Sequence, residues 1–77
     1  MLMGDVAYYS RGTELLREAL QRAGLTQQQL ADDLQTSAAN VSRWVSGERR
    51  PGALWTFELQ ARFGIDPRAW WQNAAAA

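Results

Sequence analysis

The sequence predicts an all-α fold, and three observations carry the prediction. Apolar residues recur at three- and four-residue spacing, a helix-start signal stands before most such runs, and no alternation of apolar and polar residues marks a strand. Five short helices joined by tight connections are expected, a compact topology of mostly local contacts.

Residues 1–12 show no period and include Gly4 and Gly12, so they are expected to form an arm, with Val6, Tyr8 and Tyr9 apolar enough to pack. The first helix is expected over residues 13–23, where Leu15, Leu16, Ala19, Leu20 and Ala23 make one apolar stripe. Gly24 ends it by adopting the left-handed conformation. Thr26 then serves as an N-cap, with Gln29 where a capping box places its reciprocal partner. Leu30, Ala31 and Leu34 form the buried face of this short second helix. A turn at Gln35 and Thr36 leads to a new N-cap, Ser37, ahead of the stripe Val41, Trp44 and Val45, and Ser46-Gly47 closes the third helix.

Residues 48–52 form a polar connection whose Pro51 no helix interior would tolerate. A fourth helix over residues 53–62 is expected to bury Leu54, Phe57 and Leu59, with Phe63 beside them, and to stop at Gly64. Asp66-Pro67 combines an N-cap with proline at the first helical position and starts a fifth helix carrying Trp70. The folded domain is thus expected over residues 13–73, with residues 74–77 a frayed alanine tail.

A chain of 77 residues has room for one domain with a small core. The absence of cysteine excludes disulfides and thiolate metal sites, and the absence of histidine removes the commonest general base and metal ligand. Asp32 and Asp33 are neighbours on a helix and do not face one another, so no enzyme, cofactor or metal is expected. No apolar run approaches the ~20 residues of a membrane span, and Met-Leu-Met-Gly-Asp lacks the basic start of a signal peptide. A cytoplasmic protein without a membrane partner is therefore expected. Eight arginines balance eight acids, so any interaction with an anionic partner depends on where the charges sit.

Residues 26–46 meet the needs of a helix-turn-helix: a bracing helix, a tight turn and a second helix slim enough to enter the major groove of DNA. The run Ala23-Gly24-Leu25-Thr26-Gln27-Gln28-Gln29-Leu30-Ala31, the later Val41-Ser42-Arg43-Trp44-Val45-Ser46-Gly47 and the Arg50-Pro51 just beyond resemble the Xre family of phage-repressor-like and Cro-like regulators. Phe63-Gly64-Ile65-Asp66 is similar to that family's connection between its fourth and fifth helices. The resemblance covers residues 13–71 and implies a five-helix repressor-like fold that binds an operator as a dimer. Three positions depart from it. Gln35 stands in the turn where glycine is common, the apolar pair Leu20 and Val45 replaces a frequent ion pair, and Trp55 stands where a smaller residue is usual.

On this reading, residues at the front of the third helix meet bases. Arg43 suits guanine through two hydrogen bonds, Asn40 suits adenine, Ala38 and Ala39 offer methyls to a thymine methyl, and Ser42 is open to either. The alternatives are a phosphate contact or plain solvation for Arg43, solvation for Asn40, and plain helix-forming alanines. Phosphate contacts are assigned to Thr26 and Gln27 at the start of the second helix, to Ser37, and to Arg49 and Arg50 beyond the third helix. With Asp32 and Asp33 turned away, Arg43, Arg49 and Arg50 face only Glu48, a modestly positive surface.

Trp44 and Trp70 are read as core, whereas Trp55 and Trp71 are candidates for a dimer or partner surface, because so small a domain cannot bury every aromatic. The leading function is a bacterial or phage regulator that binds double-stranded DNA and represses by occupying a palindromic operator. The alternative is a protein-interaction module, such as the antitoxin of a toxin–antitoxin pair. The zero net charge and the two alanines favour the alternative, and the three arginines favour the regulator.

Overall fold

A computed structural model describes residues 8–74; most of the expected arm and residues 75–77 lie outside it. Helix α1 spans Arg11–Ala23, two residues longer than the spacing predicts. Its start is a capping box at Ser10: the Ser10 hydroxyl accepts from the Thr13 N–H at 3.3 Å, and the Thr13 hydroxyl accepts from the Ser10 N–H at 3.0 Å. Gly12 hid this start, since glycine is a poor helix former. Tertiary packing decides otherwise, because a β-carbon on Gly12 would overlap the indole ring of Trp70.

Helix α2 spans Gln27–Leu34 and opens on the expected box, with Thr26 Oγ1 accepting from the Gln29 N–H at 3.0 Å and Gln29 Oε1 accepting from the Thr26 N–H at 2.8 Å. Gln35 ends α2 in the left-handed conformation at φ 60°, the conformation in which a side chain costs about 1 kcal/mol. Helix α3 spans Ala38–Ser46, with Ser37 Oγ accepting from the Asn40 N–H at 3.1 Å. Helix α4 spans Ala53–Phe63.

The expected fifth α-helix is instead a 3₁₀ helix over Pro67–Trp71, so the described residues hold four α-helices. Five residues leave too little length for repeated i→i−4 bonds, and the chain closes i→i−3 bonds, Ala69 N–H to Asp66 O at 2.8 Å and Gln72 N–H to Ala69 O at 3.1 Å. Gln72 then turns extended, and its carbonyl accepts from the Arg11 N–H at 2.9 Å, which ties the end of the chain to the start of α1. Asp66 caps this segment by accepting from the Arg68 N–H at 2.9 Å, and hydrogen bonds from Arg68 hold its carboxyl below the ordinary carboxylate range.

The core joins Leu16 and Leu20 of α1, Leu30, Ala31 and Leu34 of α2, Val41 and Trp44 of α3, Leu59 of α4, and Ile65, Ala69 and Trp70. The apolar pair at the expected ion-pair positions packs here, Leu20 within the core and Val45 against it.

Helix α4 departs from expectation. Leu59 is buried, but Leu54 and Phe57 are 62% and 63% exposed. Two apolar faces share this helix: Trp55, Leu59 and Phe63 recur at four-residue spacing toward the core, while Leu54, Phe57 and Ala61 make a second stripe. A helix on the surface of one small core buries only one of them.

Candidate nucleic-acid interface

The first two helices of the motif are locked by α2–α3 packing through Leu30, Ala31, Leu34, Val41 and Trp44. The turn between them is held by the Thr36 N–H donating to Ala31 O at 2.9 Å and the Gln35 N–H donating to Asp32 O at 3.2 Å. With Val41 and Trp44 fixing the inward side of α3, Ala39, Ser42 and Arg43 stand exposed on the opposite side. Asn40 is half-buried on the flank of this face. Ala38, also read as a base contact, is partly buried and packs against the core.

Thr26, Gln27 and Ser37 are exposed at the two helix starts. The hydroxyls of Thr26 and Ser37 are each engaged as caps, and because Thr26 accepts from the Gln29 N–H, the first-turn N–H groups of Gln27 and Gln28 have no partner within the helix. Arg49 is exposed, and its guanidinium meets no partner among the described residues.

Arg50 is a different case from the free phosphate-reaching side chain that the sequence suggests. Its Nε donates to the Trp70 carbonyl at 3.0 Å, and its guanidinium lies 3.7 Å from the centre of the Trp71 ring and 4.6 Å from that of Tyr8. The three groups form a stack that joins the loop after α3 to both ends of the described chain. Tyr8 and Trp71 remain 41% and 73% exposed. Backbone pairing supports the same junction, with the Tyr8 N–H donating to Gly47 O at 3.0 Å, and Gly47 sits where a β-carbon would strike Tyr9. Trp55 is partly buried and packs on Trp44, their ring centres 6.1 Å apart.

Sequence reasoning missed Thr36. Its hydroxyl accepts from Asn40 Nδ2 at 2.9 Å, and Asn40 Oδ1 accepts from Arg43 Nη1 at 3.4 Å. The signal was present as three polar residues at four- and three-residue spacing, but one of them lies in a turn, outside the helical count.

A helix-turn-helix family model matches residues 16–54, half of the chain, spanning most of α1 through the start of α4. The chain belongs to the Xre/Cro/phage-repressor-like helix-turn-helix family. No curated protein and no solved structure matches it significantly. As a member of this helix-turn-helix family it is a DNA-binding protein of the transcription-regulator class. In helix-turn-helix domains the second helix of the motif reads the major groove while the first braces across the backbone, and α3 and α2 hold those two places in the motif here. No helix among the described residues is long and apolar enough to cross a membrane.

Proposed function

We propose that this protein is a cytoplasmic transcriptional repressor, bacterial or phage-encoded, that occupies a palindromic operator as a homodimer. The observation that carries the reading is the outer face of α3. Ala39 and Ser42 keep it slim enough for the major groove, and Arg43 stands ready for a guanine edge. The exposed Gln27 and Arg49 add donors suited to phosphates.

Geometry and size support dimerisation. One reading helix covers only about four or five base pairs, too few to single out an operator, so a two-fold partner supplies the second half-site. The stripe of Leu54, Phe57 and Ala61 on α4 supplies an apolar face for that partner. Trp55 lines the same cleft as Leu54, an open hollow of about 380 Å³ between the end of α2 and α4, whereas Trp71 is occupied by Arg50.

Selection of bound sequences from a random duplex pool tests the reading. The expected result is a palindrome whose half-sites lie about one helical turn apart. The double variant Leu54→Ser with Phe57→Ser should stay folded while its binding to the full palindrome falls toward half-site affinity. Failure to enrich any sequence, combined with tight binding to another protein through α4, would turn the assignment to the interaction module.

A further inference from the structure

We propose that Thr36, Asn40 and Arg43 act as one reading unit, which selects an adenine and a guanine as immediate neighbours on one strand of each half-site. This rests on the reading of α3 as the groove-entering helix. Arginine only donates, so the amide atom of Asn40 that faces Arg43 is its oxygen, and the amide nitrogen faces Thr36. The two contacts together fix which way the amide points. They leave Oδ1 one lone pair and Nδ2 one N–H, the complementary pair that the N6 and N7 edge of adenine requires. Arg43 gives one of its five donors to Asn40 and keeps enough for the O6 and N7 of guanine.

Spacing sets the adjacency. Arg43 Nη1 touches Asn40 Oδ1 at 3.4 Å, so the two heads sit side by side, within reach of neighbouring bases on a strand that rise by only about 3.4 Å. Purines on one strand present their N7 edges on one side of the groove, so a linked amide and guanidinium meet two neighbouring purines there. Thr36 is the positioning residue. Its backbone N–H is anchored on Ala31 O at 2.9 Å beside the left-handed Gln35, so its hydroxyl is a fixed point for the amide.

The test compares base frequencies in duplex pools selected by the wild-type protein and by Asn40→Ala, Thr36→Val and Thr36→Ser, with thermal melting run on each. The wild type should enrich adjacent adenine and guanine on one strand. Asn40→Ala should lose about tenfold discrimination at the adenine position. Thr36→Val should weaken the same preference several-fold, and Thr36→Ser, which keeps the hydroxyl, should restore it. An enriched palindrome in which the purines are absent or separated overturns this inference and leaves DNA binding standing. A Thr36→Val protein that melts like the wild type yet keeps full adenine preference overturns the role of Thr36. If no pool enriches any sequence, the DNA-reading assignment fails and this inference with it.

Discussion

Replacing Arg50 separates a clamp from a phosphate contact, two roles that make opposite predictions about stability. In the structure the guanidinium stacks on Trp71 at 3.7 Å and on Tyr8 at 4.6 Å and donates to the Trp70 carbonyl at 3.0 Å. Partly exposed cation–π contacts contribute about 0.5–1 kcal/mol each. A hydrogen bond from a charged group adds about 1.5 kcal/mol. The contacts share one side chain and do not add fully, so Arg50→Ala should cost about 2–3 kcal/mol. A domain of this size has roughly 4–12 kcal/mol in total. The loss corresponds to about 10–20 °C in melting temperature. Arg50→Lys is the sharper variant, because it keeps the positive charge for a phosphate but loses the planar stack and the Nε donor. Thermal denaturation by circular dichroism, with duplex binding measured over a salt series, reads both quantities. Expected are a substantial melting loss for both variants and a salt slope for Arg50→Lys close to that of the wild type. A Lys variant with wild-type melting, or an Ala variant that melts normally while its salt slope falls by about one per half-site, would refute the clamp.

Three further outcomes follow from the backbone and the caps. Gly12→Ala places a methyl into the Trp70 ring and should destabilise by about 1–3 kcal/mol, measured by urea denaturation; an unchanged midpoint would refute the close approach. Gln35→Gly removes the left-handed side-chain cost and should stabilise by about 0.5–1 kcal/mol with binding retained, and a destabilised variant would contradict the φ of 60°. The carboxyl of Asp66 titrates below its ordinary value of 3.8, so its contribution is present above that pH and is lost as pH falls through the lower, folded-state value. Acid melting curves of wild type and Asp66→Asn should therefore converge at the acid end, and parallel curves down to the lowest pH would argue against the Arg68 contact.

Local chemistry explains how much of the molecule was legible beforehand. The caps at Thr26, Ser37 and Asp66, the stops at Gly24, Gly47 and Gly64, and the core stripes of α1, α2 and α3 depend on residues within one helical turn of each other and were readable by spacing, except that Ala23, counted in the α1 stripe, is exposed at the helix end. The pairing of α2 with α3 followed, because a turn that short leaves two amphipathic helices little choice of neighbour. The outward positions of Arg43, Ser42 and Ala39 came from the same period.

Other features depended on contacts between residues distant in sequence. Gly12 sits inside α1 with the Trp70 ring packed against it, and after the 3₁₀ helix the chain turns extended so that the Gln72 carbonyl meets the Arg11 N–H. The two apolar stripes of α4 have equal claims by spacing, and only the position of the core chose Leu59 and Trp55 over Leu54 and Phe57. Arg50 reads in sequence as a second basic residue beside Arg49, yet Tyr8, Trp70 and Trp71 converge on it from both ends of the described chain. Periodicity records which residues share a side of a helix. It holds no record of what stands across from that side, and here the space across decided which face was covered and which arginine was left free.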